Sequence, residues 1–592
     1  MANRFLEFYN DELRALRQRA TRFADNHPKI AGRLRLARGM SDDPHVERLI
    51  QSFAFSSARI RQKLDDSLPE LTDGMIETLY PHYLAPVPAM TVVGMTPARQ
   101  LDHCQNIPRG TEILSEQVDG DQVRFVTTQD VELAPVKIET ARIMNRPLEA
   151  PQRPDLQAAG ALRLTLAPSA KVKLNELGLT KLRLYLSAAQ PQAMALFQLC
   201  HQHCVGMSMA AHSGDPEARH YGAERVTPVG HAEDEALLPY PQTSFRGYRT
   251  LTEFFTLPEK YLFFDIALGP IVEADRLDIY LYFNEAPAGL ERQIDASAFS
   301  LFAAPVVNLF TARAEPINLD GTRATYPLQA DSRRAETRAV HSVRHVTLAG
   351  SDGSTREAKP YFHHLTERGT EGVFWQLRRY STDDGARSGS TSLFFVDTRN
   401  EALVPTEETA SVEVLATNHT LPQKLPYGGG QPRLTARIST DQLAGIACLL
   451  PLTPPRHSTP SADRAWELVS HLSLNHLSLT RGGTPVLRNI LQLYDPRENR
   501  ETARLIEAID KVETTPGYTR MGQVMVPGTD IELTFDEDRI EPAKAVFFGA
   551  ALDRFFGCYT SLNSFTRLTL KLSGRSDVLA AFPARAGEEA LI

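Results

Sequence analysis

Residues 277–283 have the sequence Leu-Asp-Ile-Tyr-Leu-Tyr-Phe, in which Asp and Tyr alternate with aliphatic residues. A period of two predicts a half-buried β-strand, because successive side chains of a strand point to opposite faces of the sheet. Leucines alternate in the same way at 162–166 and 182–186. Polar, turn-rich segments separate these strands and no regular strand–helix alternation follows, so the sequence predicts antiparallel sheets.

The length and the change of period along the chain predict several domains. The chain has 592 residues, more than one hydrophobic core usually holds. The predicted fold class is α+β with several domains. Residues 1–90 should form an N-terminal helical hairpin or bundle segment, and residues 91–345 should form antiparallel β-rich domains with one helix near 191–204. Residues 346–455 should form a β-rich domain with a polar loop insertion, and residues 456–592 a C-terminal mixed α/β domain. The stretch 350–389 is rich in Gly, Ser, Arg and Asp, which predicts loops or a mobile insertion.

The first 90 residues carry apolar residues at steps of three and four, which predicts helices with one apolar stripe each. The first helix should end near Pro28, a second should begin at Pro44, and a third should run from Leu68 to Tyr83. Because the segment is short, its helices cannot easily cover each other's long apolar stripes. We therefore expect the stripes to be buried against another part of the protein or against another subunit. The candidate partner-contacting residues are Phe5, Phe8, Tyr9, Leu13, Leu16, Phe23, Val46, Leu49, Phe53, Ile60 and Leu64.

Composition and charge exclude several classes of protein. Hydrophobic residues make up 42% and charged residues 23% of the chain, as in ordinary globular proteins. The net charge of -8 is mildly negative, so the electrostatic field of the whole protein does not indicate nucleic-acid binding. Residues 1–40 hold nine Lys or Arg against four acids, which favours a solvated helix face or an acidic partner. Five unpatterned cysteines and the lack of a long apolar run predict a cytoplasmic protein that does not insert into the membrane.

Candidate sites for chemistry are few. Cys200 and Cys204 lie at positions i and i+4 of the predicted helix and could supply two metal ligands, but no second Cys/His pair stands at a zinc-finger distance. The run of three glycines at 428–430 lacks the Lys-Ser/Thr of a phosphate-binding loop, so a tight turn is favoured. No Gly-x-Ser-x-Gly elbow is present. We therefore expect no catalytic residue, no metal and no cofactor.

Longer motifs resemble a known family. These motifs are YNDELR (9–14), HPKIAGRL (27–34), DPHVERL (43–49), YPHYLAP (80–86), FFTLPEKY (254–261), PVVNLF (305–310), LPYGGGQPRL (425–434), HLSLN (471–475), RFFG (554–557) and LNSFT (562–566). In order and spacing they are similar to motifs of the TssF family, also called VasA or ImpG, whose members are baseplate subunits of bacterial type VI secretion systems. Each motif alone is a packing or turn motif; together they span most of the chain.

The resemblance implies a fold like that of the wedge proteins of contractile-phage baseplates, and a structural role without catalysis. It implies that two TssF copies assemble with one TssG, that TssK attaches this wedge to the membrane complex beneath the inner membrane, and that the wedges surround the spike as the platform for tail sheath and tube. The TssE sheath initiator and the VgrG spike are further possible neighbours. From the residues alone, two alternatives stay open: a cytoplasmic multidomain binding protein, and a carbohydrate-active β-protein, which would need paired carboxylates and exposed aromatics.

Overall fold

The computed structural model shows an α+β protein with mostly β content. It describes residues 2–27, 29, 32, 44–240, 244–271, 276–286, 289–320, 323, 325–361, 373–380, 390–396, 408–438, 442–456, 476–495, 499–521 and 524–587. Within these residues the chain forms two compact units, and the boundary between them falls between Leu84 and Ala85.

The helices are α1 (Ala2–Asn26), α2 (Pro44–Leu79), α3 (Pro81–Leu84), α4 (Gln190–Gln198), α5 (Arg246–Thr256), α6 (His476–Leu493), α7 (Arg500–Glu507) and α8 (Pro542–Cys558). The first strands are β1 (Met90–Pro97), β2 (Gln105–Ile107), β3 (Glu112–Val118), β4 (Asp121–Thr127), β5 (Val131–Leu133), β6 (Val136–Asn145), β7 (Gly160–Pro168), β8 (Lys181–Leu186), β9 (Cys204–Ala210), β10 (Arg219–Gly222), β11 (Val226–Val229), β12 (Phe263–Ala267), β13 (Leu277–Phe283), β14 (Phe299–Leu301) and β15 (Ala303–Val307).

The later strands are β16 (Phe310–Arg313), β17 (Ile317–Leu319), β18 (Tyr326–Leu328), β19 (Ala339–Ala349), β20 (Thr355–Pro360), β21 (Phe374–Tyr380), β22 (Ser390–Val396), β23 (Glu408–Thr417), β24 (Leu434–Ala436), β25 (Leu443–Cys448), β26 (Ile509–Met521), β27 (Val524–Phe535), β28 (Phe565–Leu572), β29 (Val578–Ala581) and β30 (Arg585–Ala586). They combine with the earlier strands into a closed barrel and several sheets.

The N-terminal unit is a helical hairpin in which α1 packs against α2. The prediction of separate second and third helices is wrong, because α2 runs without a break from Pro44 to Leu79 and only the four-residue α3 follows it. Pro69 lies inside α2, and the apolar steps of three and four continue across it, so periodicity outweighs the local effect of the proline.

The closed barrel draws its strands from distant parts of the chain. Its order is β1-β15-β4-β3-β24-β25, and Val93, Ile113 and Phe125 are fully buried in its core. The first and last strands pair directly, with Gly94 opposite Ala447. Strand β19 runs across position 345, where the sequence predicts a domain boundary. That boundary would therefore cut through a sheet, since β19 hydrogen-bonds with β20 and β23.

The predicted antiparallel pairing holds for most of the central strands. The sheets β10-β9-β13-β7-β6 and β11-β12-β8-β14 are antiparallel throughout. The eight-stranded sheet β16-β23-β19-β20-β21-β22-β18, with β17 on β23, contains one parallel pair, β20 with β21. These two strands lie in the stretch 350–389 that was predicted to be loop, so this prediction is wrong for them. Residues 362–372 and 381–389 of the stretch lie outside the described residues.

Strand β13 is buried on both faces, whereas its sequence predicts a half-buried strand. It lies between β9 and β7. Asp278 is only 1% exposed and pairs with Arg163 at 2.7 Å. The hydroxyl of Tyr280 donates to Asp278, and that of Tyr282 donates to the carbonyl of Pro151 at 2.8 Å. The polar groups are satisfied in the interior, which permits complete burial.

The C-terminal segment packs onto the central region. Helix α8 connects the parallel strands β27 and β28 and contacts α4 and α5. The ring of Phe547 meets that of Phe197 edge to face at 5.0 Å, and Phe548 stacks on Phe254 at 5.5 Å. Helix α5 was not predicted; its sequence is rich in Thr and aromatic residues, which have low helix propensity. Its burial against α8 stabilises it instead.

The predicted helix near 191–204 ends in an irregular turn. Helix α4 is followed by a single π-helical turn at Leu199–His203, and β9 begins at Cys204. Within this turn the ring of His201 lies 5.2 Å from that of Phe197 and 5.6 Å from that of Phe582. Burial, together with the nearby charges of Arg554 and Arg585, lowers the pKa of His201 to about 4. The imidazole is therefore neutral in the folded protein at neutral pH.

We expect His201 to make stability depend on pH. Between pH 6.5 and about 4 the unfolded chain binds a proton that the folded chain does not, so unfolding free energy falls as the pH falls, by up to about 1.4 kcal/mol per pH unit. His201→Phe should reduce the slope between pH 7 and pH 5 in denaturant unfolding. Equal slopes in the wild type and His201→Phe would contradict this assignment.

Candidate partner-binding surface on the N-terminal helices

The two long N-terminal helices hold the residues that the sequence marks as partner contacts. Tyr9, Leu13 and Leu16 of α1 are half-buried, and Phe23 is 39% exposed, with its ring 5.1 Å from that of His27. On α2, Leu49 and Phe53 are 69% and 62% exposed. The remaining candidates lie on the same helices, but their side chains lie outside the described part of the structure: Phe5, Phe8, Val46, Ile60 and Leu64.

Burial on α2 is uneven around the helix. Ala54 and Ala58, one turn apart, are fully buried. Leu49 and Phe53, also one turn apart, point into solvent, as do Met75 and Leu79 at 41% and 39% exposure near the other end of the helix. We call Leu49, Phe53, Met75 and Leu79 the outer stripe of α2. A group of large exposed apolar side chains is a feature that a partner-binding surface would have.

Met75 and Leu79 were not among the predicted contact residues. The sequence assigned them to a separate third helix, so their relation to Leu49 and Phe53 could not be recognised. If α2 is treated as one helix, the four-residue step from Met75 to Leu79 repeats the step from Leu49 to Phe53, and this repeat would have identified Met75 and Leu79.

An ion pair fixes α1 against α2 near the connection between them. Arg17 donates to Glu47 at 2.6 Å, and both side chains are largely shielded from solvent, at 34% and 13% exposure. Arg17 therefore joins the two helices. The neighbouring pair Arg14–Asp11, at 3.4 Å, lies within α1 and is exposed, so it contributes little to stability.

The two cysteines at 200 and 204 are shielded from solvent, one fully and one in part. Cys200 is buried, and burial raises the pKa of its thiol. Burial also raises the pKa of Cys204, to about 11. Both thiols are therefore protonated at neutral pH, whereas nucleophilic attack needs the thiolate. Among the described residues, no three His, Cys, Asp or Glu side chains converge as a metal site would require.

The family-like motifs in the centre of the chain have structural roles. Gly428, Gly429 and Gly430 all have positive φ angles (100°, 61° and 82°), which confirms a glycine turn. The motif at 254–261 ends α5 and supplies Lys260, which pairs with Glu253 in the interior. The motif at 305–310 supplies Asn308, which is fully buried. These residues stabilise the fold and offer no reactive group to solvent.

Across the part of the chain that the structure describes, no helix combines the length and the apolar character needed to cross a bilayer.

Comparison with known proteins gives a consistent result over the whole chain. The model of the protein family described as "Type VI secretion system, TssF" matches residues 1–589. The type VI secretion system component TssF1 of Pseudomonas aeruginosa is 31% identical over 611 residues, which covers 98% of this chain and 98% of that protein.

Two solved structures have the same fold. A chain in a TssK–TssF–TssG baseplate subcomplex of the type VI secretion system, determined by cryo-electron microscopy, superposes with a TM-score of 0.74 and 26% identity, covering 91% of this chain and 98% of that one. A chain in a baseplate complex from the type VI secretion system gives a TM-score of 0.62 and 25% identity, covering 99% and 100%. The sequence match and the shared fold agree, and the chain belongs to the TssF family of type VI secretion system baseplate components.

Proposed function

We propose that this chain is a structural baseplate subunit that assembles with TssG and TssK and catalyses no reaction. The family match and the likeness to a chain of a TssK–TssF–TssG subcomplex support this role. The observation that carries it in this molecule is the outer stripe of α2, where Leu49 and Phe53 are more than 60% exposed. Burying such side chains favours association at about 25 cal/mol per Å² of apolar surface.

In the proposed assembly, two copies of this chain bind one TssG, and their N-terminal helices enter a helical bundle shared with TssG. TssK links this wedge to the membrane complex, which places the protein in the cytoplasm beneath the inner membrane. The fold then corresponds to that of a phage baseplate wedge protein, and the wedges form the platform for sheath and tube around the spike. TssE and VgrG are the proposed neighbours at the centre of the platform.

The test of this function is the substitution Phe53→Asp. A carboxylate placed in an apolar seam is either buried unpaired or forces the seam apart. We expect the affinity for TssG of the same system to fall more than about a hundredfold, which corresponds to several kcal/mol. Co-purification and secretion should be lost, while the circular dichroism spectrum should stay that of the wild type because Phe53 is 62% exposed.

The matched control is Ser52→Asp, which adds the same charge at the neighbouring exposed position and should bind TssG normally. Leu16→Asp is a less specific test, because Leu16 is half-buried and its loss would affect folding and binding together. Normal co-purification of Phe53→Asp with TssG would exclude the outer stripe from the bundle.

A further inference from the structure

A cleft of about 580 Å³ lies between strand β4 of the barrel and the segment that leads into β19. Four arginines line it: Arg124 of β4, and Arg333, Arg334 and Arg338 just before β19. The protein as a whole carries a net charge of -8, so this concentration of positive charge is local. A cleft lined by one sign of charge attracts ligands of the opposite sign.

Two of the four arginines are paired within the protein. Asp121 is 5% exposed and accepts hydrogen bonds from Arg334 at 2.9 Å and from Arg338 at 3.2 Å. Asp331 also pairs with Arg338, at 3.6 Å. These ion pairs fix Arg334 and Arg338 in place and use most of the negative charge near the cleft.

The other two arginines have unpaired guanidinium groups. Among the described residues, neither Arg124 nor Arg333 forms an ion pair or donates a hydrogen bond from its side chain. The guanidinium of Arg124 lies 5.2 Å from the centroid of the buried Phe310 ring, and that of Arg338 lies 5.8 Å from the same centroid. Burial and the charge of Arg338 lower the pKa of Arg124, and nearby carboxylates do not cancel this shift. An anion bound here would relieve the repulsion between the two cations.

The backbone of Arg124 is held by the buried asparagines on either side of it. Its amide donates to the side-chain oxygen of Asn418 at 2.9 Å, and its carbonyl accepts from the side chain of Asn308 at 2.7 Å. Both asparagines are fully buried. Arg124 therefore projects from a fixed point of the barrel, and such preorganisation lowers the entropic cost of binding.

The donors of the cleft suit a carboxylate better than a phosphate. Phosphate sites commonly use backbone amides. Here the amide of Ser332 already donates to Glu315 at 3.0 Å, and the amide of Arg333 donates to Asp331 at 3.1 Å. The unpaired guanidinium groups of Arg124 and Arg333 are planar forks, which match the two oxygens of a carboxylate.

We propose that this cleft is a docking site for an acidic segment of a partner protein, in which one carboxylate pairs with Arg124 and a second with Arg333. Arg333 is exposed and Arg124 is half-buried, so one pair forms at the rim and the other deeper in the cleft. The site uses no residue of the outer stripe of α2. It adds a second partner surface to the proposed function and does not rest on the first.

Binding of a fluorescently labelled tetraglutamate peptide to the full-length protein tests the proposal, with tetraglutamine as the neutral peptide. Fluorescence anisotropy at constant ionic strength measures the affinity. Arg124→Gln and Arg333→Gln should each weaken binding at least about tenfold, because each removes a charge-assisted hydrogen-bond donor. Arg124→Lys should bind with intermediate affinity, since it keeps the charge and loses the planar fork.

The matched control is Arg142→Gln. Arg142 is an exposed arginine of β6 that pairs with Glu149 at 3.5 Å and does not line the cleft. Its replacement changes the net charge of the protein as much as Arg124→Gln does, and it should leave the affinity unchanged. Because Arg333 is exposed and unpaired, Arg333→Gln should fold like the wild type even if Arg124→Gln does not, and thermal unfolding checks both variants.

The proposal is overturned if the wild type binds tetraglutamate no better than tetraglutamine, or if Arg124→Gln and Arg333→Gln both bind like the wild type. A loss in Arg142→Gln as large as that in Arg124→Gln would also overturn it, because the attraction would then be general. Inorganic phosphate that binds more tightly than the peptide, and loses this affinity in Arg124→Gln, would assign the cleft to a phosphate ligand instead. The measurements contain no TssG, so their outcome is independent of the proposed function.

Discussion

A chain with Lys260 replaced by methionine is expected to lose about 3–5 kcal/mol of unfolding free energy, because removing one partner of a buried ion pair leaves an uncompensated charge. Lys260 and Glu253 are each about 1% exposed and pair directly. Glu253 also accepts hydrogen bonds from the amides of Leu237 and Leu238 at 2.9 and 3.0 Å. Burial lowers the pKa of Lys260, and the nearby carboxylate of Glu253 opposes this shift.

Denaturant unfolding followed by tyrosine and tryptophan fluorescence would measure this loss. The double variant Glu253→Gln/Lys260→Met should recover much of the stability, because it removes both charges together and keeps a group that can accept from the two amides. Lys544→Met, which breaks the more exposed pair Lys544–Glu501, should change the unfolding free energy by less than about 1 kcal/mol. If the single and double variants were equally destabilised, loss of packing and not the unpaired carboxylate would be the cause.

The second large effect is expected for Asn308→Leu. The side chain of Asn308 donates to the carbonyl of Arg124 at 2.7 Å and to the side-chain oxygen of Asn418 at 2.8 Å, and it accepts from the amide of Asn418 at 2.8 Å. Both asparagines are fully buried. The leucine would leave the amide of Asn418 and the carbonyl of Arg124 unsatisfied, and we expect a loss of about 3–5 kcal/mol at 1–3 kcal/mol per buried group.

This amide pair joins the barrel to the eight-stranded sheet, because Arg124 lies on β4, Asn308 precedes β16 and Asn418 follows β23. The loss is therefore expected at this junction, and limited proteolysis should separate the two parts earlier in the variant. Asn318→Leu is the matched control, since Asn318 is exposed on β17 and should change stability by less than about 0.5 kcal/mol. A variant Asn308→Leu as stable as this control would contradict the role assigned to the pair.

The sequence predicts strands and helices well where one local period is sustained. The stripes of α1 and α2 and the alternating leucines of β7 and β8 fall in helices and strands as expected. It predicts less well where tertiary contacts decide the outcome. Helix α5 depends on its burial against α8, and the polar groups of β13 are buried because Arg163 and the carbonyl of Pro151 satisfy them.

The roles of the motif residues could not be predicted from spacing alone. Asn308 meets Asn418, which is 110 residues away along the chain, and no local pattern indicates such a partner. On α2, the predicted contact residues Leu49 and Phe53 are exposed, and Met75 and Leu79 are exposed as well but were not included in that prediction. That omission came from dividing one helix into two, and not from a missing apolar signal.

The position of α8 has a consequence for synthesis on the ribosome. The aromatic faces of α4 and α5 are complete when residue 256 has been made, but Phe547 and Phe548, which cover Phe197 and Phe254, follow almost 300 residues later. At translation rates of about 5–20 residues per second, this interval is on the order of tens of seconds. During it, the nascent chain exposes an aromatic surface that α8 covers in the folded protein, so this core is completed only after α8 has been made.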